Sequence, residues 1–290
     1  MHSVSLKSPS GGRRVTVCPS RLVNPVFYMN QASASSSSAI SGVPGQAAWL
    51  DRVRVVLNCP SHPGNIGAAA RAMKTMGLSR LVLVNPARFP DDEAIARAAG
   101  AEDVLVECRV CQTLDEALEG TVLALALSAR HRNLGPEPLQ AREAAVVAVA
   151  QAHTGEVALV FGNETRGLSN EDVMRCQRTV FIPANPDYTS LNLGSAVQVL
   201  CYELRMAAFM ERPPVVTRTV PFESPPATHD AIERFYEHLE SVMVESGFHD
   251  PARPKRLMPK IRRLFGRAAL EHDEINILRG ILDAAQKRFR

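Results

Sequence analysis

The sequence predicts an α/β domain, with a parallel sheet between layers of helices, followed by a small all-α module. Short runs rich in Val and Leu alternate with helix-like stretches along residues 51–210. Such alternation is typical of strands buried on both faces and joined by crossover helices. A Pro-rich segment, 211–228, ends the alternation, and apolar residues then recur at helical spacing. The 290 residues suit one such domain and an appendage.

The elements can be assigned in order along the chain. The predicted strands are 53–57, 81–84, 104–106, 121–127, 157–161 and 179–182. The predicted helices are at about 66–77, 92–99, 114–119, 141–152, 169–176 and 191–210. Because ligands of such sheets bind beyond the carboxyl ends of the strands, we expect functional residues in the loops that directly follow strands.

Residues 229–290 predict three helices, the second of them strongly basic. That helix, at about 256–269, carries apolar residues on one face and Arg or Lys on much of the rest. Residues 251–270 hold seven basic residues and no acid. Although a charge run is usually only a solvated face, this one favours a surface that contacts phosphates.

The net charge of +3 conceals a strong separation of charge along the chain. The first fifty residues have four basic residues and no acid, 51–250 have 18 basic and 26 acidic residues, and 251–290 have eleven and four. The chain thus has an acidic body and a basic C-terminal end. This local basic cluster is a better indicator of a polyanionic partner than the net charge of the whole chain.

Residues 1–50 are predicted to be a disordered extension, since eleven of them are Ser and they have no apolar periodicity. Arg and Ser without acids are also typical of an organellar transit peptide, although we favour a simple extension before a domain that begins near Trp49. No apolar run is long enough to span a bilayer. The single Cys-x-x-Cys pair, Cys108 and Cys111, lacks a second ligand pair for zinc and is expected to hold structural thiols.

Three loops after predicted strands combine glycines with polar residues. Residues 58–71 lead through two glycines into a helix of small residues, which suits an approaching anion but contains neither a dinucleotide fingerprint nor a Walker sequence. In 161–168, Gly162 allows a sharp turn and close backbone approach. In 182–196, Ser190 and Asn192 open a long helix, where Ser190 is also a candidate N-cap.

Together these loops resemble the three motifs of the SpoU branch of the SPOUT superfamily of RNA 2′-O-ribose methyltransferases. The matching residues are Asn65-x-Gly67-x-x-x-Arg71, Phe161-Gly162-Asn163-Glu164-x-x-Gly167-Leu168 and Ser190-Leu191-Asn192-Leu193. Residues 70–78 and 274–282 narrow the resemblance to a bacterial group that methylates cytidine or uridine at anticodon-loop position 32 of tRNA.

The resemblance implies a fold whose C-terminal part forms a deep trefoil knot, a homodimer, and a cytoplasmic enzyme that acts on tRNA with S-adenosyl-L-methionine and without a metal. It implies that the cofactor lies against three loops, through Leu127, Ser128, Ala129, Gly162, Glu164, Ile182, Thr189, Ser190 and Leu191.

The resemblance also implies roles for the remaining polar residues. The family assigns Arg71 as the base that deprotonates the ribose, but a guanidinium holds its proton tightly, so orienting a phosphate and stabilising a 2′-oxyanion is physically easier. Asn65 would orient Arg71, while Ser190 and Asn192 would position ribose or cofactor. Phosphate contacts are expected from Arg130, Arg132, Lys260, Arg262 and Arg263.

Two other classes of protein compete with this interpretation. A nicotinamide-dependent oxidoreductase needs a Gly-rich fingerprint after its first strand, and this chain has none. A non-catalytic RNA-binding protein of the same fold is the closer alternative, against which the presence of Arg71, Gly162, Ser190 and Asn192 argues.

Overall fold

The computed structural model describes residues 49–129, 136–209 and 224–289. The predicted extension up to residue 48, the candidate phosphate contacts Arg130 and Arg132, and most of the predicted linker lie outside the described residues. Leu50, which was assigned to the extension, is in a short 3-10 helix and is buried against the core.

The described strands form one parallel sheet. They are β1 (Val53–Asn58), β2 (Arg80–Val84), β3 (Arg109–Cys111), β4 (Thr121–Leu127), β5 (Pro138–Gln140), β6 (Glu156–Phe161) and β7 (Arg178–Phe181). Their order across the sheet is β3-β2-β1-β6-β4-β7-β5. The carboxyl ends of β1, β6, β4 and β7 are therefore neighbours, and four loops meet along one edge of the sheet.

Helices cover both faces of this sheet. They are α1 (Pro63–Met76), α2 (Asp92–Ala98), α3 (Glu102–Val106), α4 (Leu114–Leu118), α5 (Ala141–Ala152), α6 (Asn170–Met174) and α7 (Leu193–Phe209). Side chains alternate between two cores, so that Val55 and Leu57 of β1 face one core and Val56 the other. The larger core contains buried residues of α1, α2, α5 and α7, and the smaller one contains residues of α4 and α6.

The predicted strand at 104–106 is wrong. These residues end α3, and the third strand is Arg109–Cys111, five residues further along. A strand buried on both faces would hide all three side chains, but Val106 is 84% exposed while Val104 and Leu105 are buried. Acidic Glu102 and Asp103 in the first turn favour the helix through its dipole. β5 was not predicted, because a three-residue edge strand that begins with Pro138 gives almost no periodic signal.

The C-terminal module consists of α8 (His229–Glu245), α9 (Leu257–Ala268) and α10 (His272–Gln286). Phe235 and Tyr236 of α8 and Ile275 of α10 centre its small core, on which Phe265 of α9 packs. The end of the predicted linker belongs to this module, because Ser224 donates its backbone N–H to Glu271 and Pro226 forms a β-bridge with that residue.

Polar contacts join the module to the sheet domain. His229, which is 2% exposed, places Nε2 3.3 Å from Oδ1 of Asp115 in α4, and Arg175 forms an ion pair with the same carboxylate. Arg178 of β7 donates to the carbonyl oxygen of Gly266 in α9 at 3.1 Å. The two parts therefore share a buried, hydrogen-bonded contact.

Gly67 allows α1 to pack closely against α2. A Cβ added to this glycine would lie 2.1 Å from the backbone oxygen of Ala94, far inside van der Waals contact. Its neighbours Ile66 and Ala70 are fully buried. The glycine that suggested an approaching anion is thus required for helix packing.

We predict that Gly67→Ala lowers the free energy of unfolding by about 1–3 kcal/mol, because the new methyl group overpacks the α1–α2 contact. Gly280→Ala is the matched control, since Gly280 is also helical but has open space around its Cβ position. That change should raise stability by up to about 1 kcal/mol through helix propensity. Urea denaturation of both variants measures the difference, and equal stability of the two would contradict the packing argument.

Candidate functional site

The loops that follow β4, β6 and β7 enclose a cleft of about 290 Å³. Apolar side chains form part of its wall, namely Phe161 of β6, Val180 of β7 and Leu168 of the loop after β6. All nine residues predicted to contact a cofactor line this cleft: Leu127, Ser128, Ala129, Gly162, Glu164, Ile182, Thr189, Ser190 and Leu191. The structure thus brings together residues that are up to 64 positions apart in the sequence, from Leu127 to Leu191.

The carboxylate of Glu164 binds the loop that precedes α1. Its Oε2 accepts hydrogen bonds from the backbone N–H of Ser61 at 2.9 Å and from the Ser61 hydroxyl at 2.6 Å. Its Oε1 accepts from the backbone N–H of His62 at 3.2 Å and from the Asn65 side chain at 3.0 Å. Both oxygens are thus occupied, so Glu164 acts first as a clamp between the loops after β1 and β6.

These hydrogen bonds keep Glu164 ionised. Partial burial opposes its charge, but the bonds from Ser61 and Asn65 outweigh burial and lower the pKa to about 2 from the ordinary 4.5. The negative charge is therefore a permanent feature of the loop junction at neutral pH.

Asn65 extends the clamp to the third loop. Its Oδ1 accepts a hydrogen bond from the Asn192 side chain at 2.9 Å, and Oδ1 of Asn192 accepts from the backbone N–H of Gly194 at 2.9 Å. Asn192 therefore caps the start of α7 while it holds Asn65, and a continuous chain Glu164–Asn65–Asn192 ties the three motif loops together. The closeness of Asn192 to Asn65, 127 positions away, could not be read from spacing.

Gly162 permits the narrow turn that carries Glu164. A Cβ at this position would lie 2.3 Å from backbone atoms of Gly167 and Leu168. The turn is closed by a β-bridge between Asn163 and Gly167, whose φ is +69°, in the left-handed region. Any side chain at Gly162 would force the two sides of the turn apart.

Asn163 fixes the inner part of that turn. Its side chain donates to the backbone oxygen of Cys59 at 2.9 Å, and its Oδ1 accepts from the backbone N–H groups of Thr165 and Arg166 at 3.0 and 3.1 Å. The backbone of Arg166 is therefore held firmly, and its side chain lines the cleft. Arg166 is not among the predicted site residues, because it stands at an unspecified position (x) of the second motif.

Ser190 does not cap α7, which begins at Leu193 and is capped by Asn192. Ser190 and its neighbour Thr189 are exposed and line the cleft. Neither hydroxyl has a hydrogen bond to another residue in the part of the chain that the structure describes. Both remain available to a bound molecule.

Arg71 lies on the exposed side of α1 and does not line the cleft. Its side chain makes no hydrogen bond or ion pair with the residues of the described ranges, and none with Asn65 in particular. The predicted orientation of Arg71 by Asn65 is therefore absent here, because the Asn65 side chain is engaged by Glu164 and Asn192.

The predicted phosphate contacts of the module differ in their surroundings. Arg262 forms two hydrogen bonds of 2.6 Å with Glu233 and stacks on Tyr236, with its guanidinium carbon 4.5 Å from the ring centroid. Arg262 stays a predicted RNA contact, but in this structure its guanidinium is engaged within the module. Lys260 and Arg263 are exposed. Arg267, which was not predicted, is also exposed and lies beside Arg263 at the groove between the module and β7.

The described ranges hold no cluster of His, Cys, Asp and Glu that could bind a metal ion. None of the described helices is long and apolar enough to cross a bilayer. The cysteines among the described residues are free thiols, and burial raises the pKa of Cys201 to about 12.

Comparison with known proteins identifies two family models along the chain. The model of the SpoU rRNA Methylase family matches residues 52–202, and that of the tRNA methyltransferase TrmJ C-terminal domain matches 230–290. The tRNA (cytidine/uridine/adenosine-2′-O-)-methyltransferase TrmJ of Pseudomonas aeruginosa (strain UCBPP-PA14) is 51% identical to this chain over an alignment of 250 residues. The alignment covers 83% of this chain and 96% of that protein.

Two further matches cover the same part of the chain. The tRNA (cytidine/uridine-2′-O-)-methyltransferase TrmJ of Pectobacterium atrosepticum is 49% identical over 238 residues, covering 82% of this chain and 98% of the relative. The crystal structure of TrmJ from Z. mobilis ZM4 has a TM-score of 0.69 at 31% identity and covers 80% of this chain and 97% of its own.

The clamp makes a pH-dependent prediction. Glu164→Gln replaces one acceptor oxygen by an amide group that faces donors, so we expect a loss of about 1–2 kcal/mol of unfolding free energy at pH 7, discounted for partial solvation. Because the folded pKa is about 2, below the ordinary 4.5, the contribution of the wild-type carboxylate is complete above pH 4.5 and lost as the pH falls towards 2.

Urea denaturation between pH 7 and pH 2 would therefore show the two proteins converging as the solution is acidified. Glu107→Gln is the control, since Glu107 is an exposed carboxylate outside the cleft. A difference between wild type and Glu164→Gln that stays constant over this range would contradict the clamp.

Proposed function

Because the chain belongs to the SpoU rRNA Methylase family, we propose that it transfers a methyl group to a ribose 2′-hydroxyl of tRNA. The observation that carries this proposal is the chain of hydrogen bonds Glu164–Asn65–Asn192, which joins all three motif loops beside one cleft. The relatives with 49–51% identity carry tRNA 2′-O-methyltransferase names, and the matched C-terminal model supports tRNA rather than rRNA. Such a substrate would place the enzyme in the cytoplasm.

The position and base of the target are finer parts of the proposal. The resemblance of residues 70–78 and 274–282 supports cytidine or uridine at anticodon-loop position 32. The name of the Pseudomonas relative includes adenosine as well. Methylation of unmodified bacterial tRNA, followed by nucleoside digestion, would identify both the ribose product and its base.

The cleft fits S-adenosyl-L-methionine in size and chemistry. Its volume of about 290 Å³ lies near the lower end of small-molecule pockets, and it combines apolar walls with the free hydroxyls of Thr189 and Ser190. Leu127, Ser128 and Ala129 would bind from one loop, Gly162 and Glu164 from the second, and Ile182 with 189–191 from the third.

When bound, the cofactor supplies an electrophilic methyl group on a sulfonium sulfur. The residues of this chain would then position the ribose for in-line attack and stabilise the charge that develops on the 2′-oxygen. Arg71, outside the cleft lining and unpaired among the described residues, can contact the phosphate next to the target ribose. The Ser190 hydroxyl can orient the ribose or the cofactor, whereas Asn65 and Asn192 hold the loops that present these groups.

The domain organisation belongs to the same proposal. Residues 51–210 would form the methyltransferase domain, 211–228 a linker whose last residues, from Ser224, contact the module, and 229–290 a module that holds tRNA, all preceded by the extension 1–50. We infer the deep trefoil knot of the superfamily, since the chain after β7 reaches Asn65 before α7 packs on α1 and α5. A homodimer is the corresponding expectation for assembly. A non-catalytic RNA-binding protein of this fold gains no support, because Asn65, Ser190 and Asn192 keep their places around the cleft.

We predict that Arg71→Ala lowers kcat by at least about 100-fold, because it removes the cation that stabilises transition-state charge. The dissociation constant of S-adenosylhomocysteine should stay unchanged, since Arg71 does not line the cleft. Single-turnover assays with tRNA and calorimetric titration with the cofactor product measure the two effects. Equal loss of turnover and cofactor binding would contradict this division of roles.

The double variant Lys260→Gln, Arg267→Gln should raise the KM for tRNA and reduce the slope of log affinity against log salt by about 1–2. Arg262→Gln is the contrasting variant, because Arg262 is paired with Glu233 inside the module. It should lower the melting temperature, whereas the double variant should leave it unchanged. Unaltered tRNA affinity and salt slope in the double variant would remove α9 from the proposed interface.

A further inference from the structure

The charges that line the cleft are unevenly compensated. Among the described residues of its wall, only Glu164 and Arg166 carry a formal charge. Both carboxylate oxygens of Glu164 are occupied by four donors from the loop after β1 and the first turn of α1. The Arg166 side chain makes no hydrogen bond or ion pair with the residues of the described ranges. Within the described part of its wall, the cleft therefore has one guanidinium without a protein partner, and that group is available to a ligand.

The position of this guanidinium is built into the turn. Asn163 holds the backbone N–H of Arg166, and the Asn163 side chain is itself anchored on the strand-end residue Cys59. Gly162 and Gly167 keep the turn narrow. Because both ends of the turn are fixed, the backbone from which the Arg166 side chain extends is held at the edge of the cleft.

We propose that Arg166 binds the carboxylate of the methyl donor and thereby orients it, an inference that rests on the proposed function. S-adenosyl-L-methionine carries two cationic groups, the sulfonium and the ammonium, and one anionic group, the carboxylate. A guanidinium attracts only the last of these and repels the other two. It therefore places the amino-acid end of the cofactor beside the turn 163–167, with a charge-assisted hydrogen bond that a carboxylate can accept from two N–H groups.

RNA phosphate is the competing partner of Arg166, and the surroundings favour the cofactor. Arg166 lines the enclosed cleft, whereas Arg71 and the exposed cations of α9 lie outside its lining. The phosphates of an RNA backbone can contact those cations outside the cleft. Among the described residues that line the cleft, Arg166 is the one cation that can meet the anionic end of a molecule bound there.

The test compares two ligands that differ only in the carboxylate. Calorimetric titration of wild type and Arg166→Gln with S-adenosyl-L-methionine should show a dissociation constant about 10- to 100-fold higher in the variant, the range of a hydrogen bond to a charged group. With decarboxylated S-adenosyl-L-methionine, which keeps the sulfonium and the ammonium, the two proteins should bind equally. Arg97→Gln, which removes an exposed arginine of α2 outside the cleft, is the charge control and should match wild type with both ligands.

Three outcomes would overturn the proposal. Equal weakening of both ligands by Arg166→Gln would mean that the residue supports the cleft without contacting a carboxylate. Unchanged cofactor binding with a raised KM for tRNA and a salt slope reduced by about one would assign Arg166 to a phosphate. Unchanged binding of both the cofactor and tRNA would mean that Arg166 contacts neither of them. Failure of the wild type to bind S-adenosyl-L-methionine would instead contradict the proposed function itself.

Discussion

One carboxylate holds the candidate site together. Glu164 accepts four hydrogen bonds from a loop about one hundred residues earlier in the chain, and two of them come from backbone N–H groups. A neutral side chain could not accept from all four donors, so the charge and the loop geometry require each other. Through Asn65 the same carboxylate also determines where Asn192 and the start of α7 lie. A residue expected to contact the cofactor is thus first a structural junction.

The parallel sheet makes this junction possible. Because β1, β6, β4 and β7 are adjacent and point the same way, their following loops meet at one edge although they are far apart in sequence. Two glycines then allow the close backbone packing that this junction needs. Gly67 brings α1 against α2, and Gly162 closes the turn that carries Glu164. Neither glycine has to touch a ligand to be necessary, since backbone atoms already occupy the place of the missing Cβ.

Much of the fold could be predicted from the sequence because buried parallel strands leave continuous apolar runs. Five of the six predicted strands overlap observed strands. The exception, 104–106, shows the limit of that signal. A short apolar run is compatible with a buried strand and equally with a half-buried helical turn. The exposure of Val106, which the sequence does not reveal, distinguishes the helical turn from the strand. The motif resemblance identified residues that line one cleft, but it did not predict which residues they hydrogen-bond. Arg262 looked like its basic neighbours, and only tertiary contact with Glu233 and Tyr236 separates it from them.

Charge is unevenly distributed at the site as well as along the chain, whose body is acidic and whose C-terminal end is basic. Several arginines of the sheet domain have no ion-pair partner among the described residues, and of these Arg166 lines the cleft whereas Arg71 and Arg97 lie outside its lining. In a domain where acids outnumber bases, most other arginines are paired, as Arg54 and Arg80 are with Glu156. An unpaired guanidinium in the lining of a cleft is available to a ligand, whereas an exposed one such as Arg97 is satisfied by water. In the proposed reaction the methyl group leaves the sulfonium sulfur and bonds to the ribose 2′-oxygen. The carboxylate of the donor and the phosphate of the acceptor are two separate anions, for which Arg166 in the cleft lining and Arg71 outside it are the candidate partners.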